Sequence, residues 1–126
     1  MTDDDVVTAV TAAFRAFNER RFADFATYVT DDVIEVYPQS GERFEGRRQQ
    51  RAFHEAFPEP PTFTVSRVLR SGDLAVAEVD EQSADGSVWN DVWIFELRDG
   101  AVERMTGYFG QPFAAPEWRR PYRVRP

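Results

Sequence analysis

The sequence predicts an α+β fold, a cone-shaped α+β barrel in which three N-terminal helices pack on a strongly curved, mainly antiparallel sheet. Three observations lead there. Gly72, Gly86 and Gly100 recur every 14 residues, each beside an aspartate, in Gly72-Asp73, Asp85-Gly86 and Asp99-Gly100. The stretches between them are rich in Val, Ile, Phe and Trp. Asp-Gly between apolar runs marks a hairpin, because tight hairpin turns need positive φ and glycine takes it at no steric cost. The third observation is order: helical periodicity comes early and strand pattern late, which places helices on one side of a sheet. Strands of roughly 9–12 residues are long, and long antiparallel strands twist and curl. A curled sheet has a hollow side, and hollows bind ligands.

Each element has its own signal. Residues 3–18 read as a helix, with Val6, Val10, Ala13/Phe14 and Phe17 on one face. Aspartates at 3 to 5 suit its positive end. A second helix covers about 22–29, with Phe22, Phe25 and Val29 on one side, and Thr30-Asp31-Asp32 ends it. Val33 to Tyr37 forms a short strand stopped by Pro38, and residues 39–42 form a turn. A third helix spans about 46–57, with Phe53 and Phe57 on an Arg-rich body, until Pro58, Pro60 and Pro61 break it. The meander follows, with strands near 62–70, 74–83, 88–97 and 102–109. From Gln111 onward the proline-punctuated end reads as an extended arm. No linker divides the chain, so residues 1–126 are expected to form a single domain.

Composition narrows the class. At 126 residues, with 42% hydrophobic and 14% aromatic content, the chain can build a real core. A net charge of −7 repels phosphate backbones and disfavours nucleic acid as a partner. All 15 basic residues are Arg. Four of them, Arg119, Arg120, Arg123 and Arg125, sit in a tail too short and proline-rich for a membrane helix. There is no cysteine and a single histidine, so neither a disulfide nor a structural zinc site is expected. The acidic start lacks the features of a signal peptide, and no apolar run reaches membrane-spanning length. The expected setting is cytoplasmic, with no membrane contact.

Several motifs resemble the nuclear transport factor 2-like superfamily, in particular its SnoaL-like and ketosteroid isomerase-like members. Phe17-Asn18, Phe22-Ala23-Asp24-Phe25 and Thr30-Asp31-Asp32-Val33 are similar to that family's first helical pair and the entry to its first strand. Pro38 and Phe44-Glu45-Gly46-Arg47 resemble its lead into the third helix. Val76-Ala77-Glu78, Phe95 to Gly100 and Tyr108 to Pro112 resemble its last strands. The resemblance implies a small, largely apolar organic ligand in the cone and, for an enzyme, cofactor-free acid/base chemistry of the isomerase, cyclase or dehydratase kind on a carbonyl or polyketide-like substrate. It also implies a homodimer formed through the sheet. The family's familiar acids are missing, however. Tyr37 stands where the isomerase base would be, Ala13 and Trp93 where its oxyanion hole would be, and Gly107 and Met105 where cyclases carry Asp and His.

The remaining polar residues supply the candidates. His54 is the one histidine, a residue type suited to acid/base work, if it faces the cavity; otherwise it is a helix-surface histidine. Asp91 is unusual mid-strand, and alternation puts Trp89, Asp91, Trp93 and Phe95 on one face. With a three-residue turn at 98–100, or an equivalent bulge, Trp93 faces Met105 and Asp91 faces Gly107. With a two-residue turn the register slips by one and Asp91 loses that place. The other reading of Asp91 is a rim residue paired to an Arg. Tyr37 is the candidate hydrogen-bond donor to a carbonyl. Glu35, on the same face, is expected to be exposed, and Asp80 and Glu81 are expected to be solvated strand ends. Glu78 is a candidate pocket acid or an Arg partner. Phe14, Phe57, Trp89, Trp93, Met105 and Phe109 complete the expected lining, although the sheet aromatics also suit a dimer interface. Two non-catalytic readings stand beside the enzyme: a ligand carrier or sensor, and a dimerisation module plugged by its own rings.

Overall fold

The structure is a computed structural model, and it describes residues 2–124. Helix α1 (Asp3–Asn18) begins at a capping box between Thr2 and Asp5, which satisfies two free backbone N–H groups. It buries Val6, Val10, Phe14, Ala16 and Phe17. Its last residue fixes it to the sheet. Asn18 Nδ2 donates to the Phe63 carbonyl at 2.7 Å, and its Oδ1 accepts from Phe63 N at 2.8 Å.

The expected second helix is shorter than predicted. It comprises α2 (Phe22–Phe25) and one 3-10 turn, Ala26–Tyr28. Strand β1 (Val29–Tyr37) then starts before Val33, so Thr30-Asp31-Asp32 belongs to the strand and does not end a helix. Arg47 explains part of this. Its guanidinium donates to the Val29 carbonyl at 2.6 Å and pairs with Asp31 at 2.6 Å, holding that stretch extended. A short strand β2 (Glu42–Glu45), not expected from sequence, pairs with β1. Helix α3 (Arg47–Glu55) ends before Phe57, which lies on the connection to the sheet.

The meander follows its prediction closely: β3 (Thr62–Ser71), β4 (Leu74–Gln82), β5 (Val88–Arg98) and β6 (Ala101–Tyr108). The six strands lie in the order β2-β1-β6-β5-β4-β3, with β1 parallel to β6 and the other pairs antiparallel. The sheet is open, with β2 and β3 at its edges, so the cone is not a closed barrel. The three helical segments cover one face, where Ala75, Ala77, Val79, Trp93, Phe95 and Met105 are buried. The C-terminal arm is extended only as far as Pro116; Glu117–Tyr122 is a 3-10 turn. Arg125 of the basic tail lies outside the described residues. Among the described residues no helix is long and apolar enough to cross a membrane.

The hairpin between β5 and β6 corrects the expected register. Arg98 pairs with Ala101, so Asp99-Gly100 is a two-residue turn, with φ of 51° and 81°. A bulge then inserts Glu103 between the pairs Leu97↔Val102 and Glu96↔Arg104. The two features together place Trp93 opposite Gly107 and Phe95 opposite Met105. Trp93 therefore does not face Met105, nor Asp91 Gly107. Asp91 still points inward, but beyond the end of β6, where its Oδ1 accepts from Gly110 N at 3.2 Å.

Candidate functional site

Strand β1 carries the chemistry of the interior. Val33, Glu35 and Tyr37 share its inner face, since alternate side chains point the same way. Glu35 is 1% exposed, contrary to the expectation of an exposed residue. Helix α3 makes that burial tolerable. Gln50 and His54, one turn apart, both reach Glu35 Oε1: Gln50 Nε2 at 2.8 Å and His54 Nε2 at 2.9 Å. The Tyr37 hydroxyl donates to the other oxygen, Oε2, at 2.5 Å. A carboxylate that accepts three hydrogen bonds is well compensated for lost water. The signal was present in sequence as Gln50 and His54 at i, i+4 opposite an inward Glu, but it needed the pairing of α3 with β1 to be legible.

His54 is 4% exposed and set among rings, with Phe25 at 4.9 Å and Phe17 at 5.2 Å between centroids. It is not a helix-surface histidine. In the tautomer that donates to a Glu35 carboxylate, the proton is on Nε2. The other nitrogen, Nδ1, is buried with no hydrogen-bond partner. Burial and the nearby Glu35 carboxylate push the Tyr37 hydroxyl far above its ordinary value. It therefore stays protonated, with its proton directed at Glu35.

Two neighbouring spaces lie beside this cluster. An inner cavity of about 20 Å³ is walled by Glu35, His54, Phe14, Phe25, Trp93 and Met105, with further rings around them. That is room for about one water. A mouth of about 200 Å³ is lined by Tyr37, Phe57, Pro61, Phe63, Glu81, Trp89 and Phe109. Tyr37, Phe57 and Phe63 line both spaces and separate them. Trp89, Trp93, Met105 and Phe109 thus face the interior and not an outer dimer surface.

Other residues fall elsewhere. Glu78 lies on the outer face, ion-paired with Arg67, and lines neither space. Glu81 is not a solvated strand end: it is 8% exposed on the inner face, near Asp91 at 2%. Asp91 is not paired to an Arg; it contacts Glu81, and burial raises the pKa of both. Asp80 is exposed, as expected. Among the described residues no group of three His, Asp or Glu side chains could hold a metal ion.

The profile of the SnoaL-like domain matches residues 10–105. The chain belongs to this family. An NTF-2 like protein of unknown function from Burkholderia xenovorans LB400 is 34% identical, with a TM-score of 0.85 over 98% of this chain and 96% of that one. A Kribbella flavida DSM 17836 protein proposed to be a ketosteroid isomerase is 27% identical, with a TM-score of 0.87 over 97% and 90%. An LEH-like epoxide hydrolase from M. tuberculosis, 19% identical with a TM-score of 0.72 over 84% and 83%, shares the fold. No curated protein matches the chain in sequence. In this SnoaL-like domain a Cβ on Gly107 would lie 2.9 Å from the Trp93 ring, so the indole from β5 fills the space above that position of β6.

Proposed function

We propose that this SnoaL-like domain binds a small, largely apolar organic molecule in the cone mouth and acts on it by acid/base chemistry through the Glu35–His54 pair. The observation that carries the reading is His54 Nδ1, buried without a partner in a residue that walls the inner cavity. A carboxylate that fixes one imidazole nitrogen and leaves the other free is the arrangement of a general base held in one orientation. Nδ1 takes a proton from a water in the inner cavity, and that water takes one from the ligand. Nε2–H stays on Glu35, which stabilises the imidazolium formed. The proton then returns to the product, and the pair ends as it began. General acid/base catalysis of this kind contributes about 10²–10⁴-fold.

The mouth limits the ligand. At about 200 Å³ it is smaller than the roughly 300 Å³ and upward of drug-sized pockets, so the ligand is smaller than a fused-ring steroid or polyketide. The rings of Tyr37, Phe57 and Phe63 between mouth and dyad favour a second reading, a carrier or sensor in which only the mouth fills. We also propose a homodimer through the outer sheet face, where Leu74, Val88, Val92 and Tyr108 are exposed.

Proton exchange separates the first two readings. Cyclohexanone in D₂O, followed by NMR, should exchange its α-protons faster with wild-type protein, and His54→Gln should remove at least tenfold of that acceleration. If ketone binds but exchange is the same with and without His54, the base role fails and the carrier stands.

A further inference from the structure

The Glu81–Asp91 pair has no part in the Glu35–His54 chemistry. In the β4–β5 register Val79 faces Asp91 and Glu81 faces Trp89, so the two acids are diagonal neighbours on the inner face. The other inward positions of β4 are Ala75, Ala77 and Val79. Two carboxyls here depart from an otherwise apolar row. Both are more than nine-tenths buried, and no described basic side chain pairs with either. Glu81 Oε1 and Asp91 Oδ2 have no donor outside the pair among the described residues, and the two carboxyls face each other. Asp91 Oδ1 accepts from Gly110 N. Two touching buried carboxyls cannot both ionise without large cost, so the pair holds one proton between them. Burial, with Asp91 alongside, pushes Glu81 up to about 9.

Glu81 also lines the mouth, beside the rings of Tyr37, Trp89 and Phe109. A carboxyl pair with no donor from outside it, set against aromatic faces, is the complement of an organic ammonium once its proton has left. Its N–H groups satisfy carboxylate oxygens, and its charge is attracted to the rings.

We propose that Glu81 and Asp91 form a cation site at the cone mouth that takes the ammonium group of a small amine in exchange for the proton the pair otherwise holds. The inference rests on the reading of the mouth as the ligand site and names the ligand's class. The exchange balances: one ammonium enters, one proton leaves to solvent, and both carboxyls become carboxylates. The apolar body of the amine then lies against Phe57 and Phe63. Few other groups interfere with the titration. Tyr37 faces the pair from β1 and stays protonated, and Asp80 adjoins Glu81 on β4. Strand β3 presents Phe63 opposite Glu81, flanked by Thr62 and Thr64, none of them titratable. Beyond β6, Gly110 N donates to Asp91, and Phe109 lines the mouth with Glu81; neither is titratable.

The test is calorimetric titration with benzylamine, its neutral analogue benzyl alcohol and the anion benzoate. Benzylamine should bind at least tenfold tighter than the alcohol, and benzoate should bind weakest. Between about pH 6 and 8, where the amine stays charged, its affinity should rise towards tenfold per pH unit, the limit for one proton displaced. Titrations in buffers of different ionisation enthalpy should report release of close to one proton. Glu81→Gln keeps the shape and should remove both the preference for amine and the pH dependence. If alcohol and amine bind equally, or Glu81→Gln leaves benzylamine affinity unchanged, the cation site is overturned while the mouth stands. If none of the three probes binds, the mouth reading falls with it.

Discussion

Replacing Glu35 should separate a network that needs an acceptor from one that needs a charge. Glu35→Leu removes the shared partner of Gln50, His54 and Tyr37, whose contacts of 2.8, 2.9 and 2.5 Å all end on its carboxyl. Three buried donors are then orphaned, at about 1–3 kcal/mol each. Gln50 keeps only its weak contact to Met105 sulfur at 3.2 Å. Relief from burying the carboxyl offsets part of the sum, which leaves a net loss of about 3–5 kcal/mol, the usual cost of removing one partner from a buried polar cluster. Glu35→Gln behaves differently. Its Oε1 still accepts from Gln50 and His54, and its Nε2 can donate to a Tyr37 hydroxyl that turns around. That variant should lose less than about 1.5 kcal/mol. Urea unfolding with a common m-value measures both. If Glu35→Leu is as stable as wild type, or Glu35→Gln is as damaged as Glu35→Leu, the three-donor account is wrong.

Two further outcomes follow from the same interior. Gly107→Ala places a Cβ 2.9–3.1 Å from three carbons of the Trp93 ring. That ring is packed by Phe14, Phe63 and Phe109 and cannot move freely, so thermal unfolding should show a loss of about 1–3 kcal/mol. A Trp93→Phe background should relieve most of it, and an additive double mutant would contradict the contact. The Glu81 carboxyl gives a pH signature. Its folded-state value, about 9, lies above the ordinary 4.5, so the unfolded chain loses this proton first as pH rises. Stability should therefore fall with rising pH across that window, and Glu81→Gln should flatten the fall. A wild-type profile no steeper than that of the variant would show that Glu81 is not held protonated.

Much of the fold was legible because it is written in local periods. The glycine beat placed all four meander strands to within about a residue or two, since turn chemistry acts over a few neighbours. Helical spacing gave α1 and its buried face. Parity put Asp91 and Trp93 inward. What parity could not give was the company a charged residue keeps. Glu35 looked exposed because its partners lie 15 and 19 residues away on α3. Glu81 looked like a strand end because its burial depends on the facing Phe63 and on the mouth.

The sequence by itself determined the helices-then-meander order and the inward faces of α1 and β5. The tertiary structure decided where the buried acids are. The bulge at Glu103 restored the face that a two-residue turn at Asp99-Gly100 would otherwise have reversed, and it set Trp93 over Gly107. Packing of α3 on β1 turned Glu35, Gln50, His54 and Tyr37 into one cluster. The physical reason is that local pattern sets which way a side chain points, whereas burial of a charge is decided by donors and walls that distant segments bring to it.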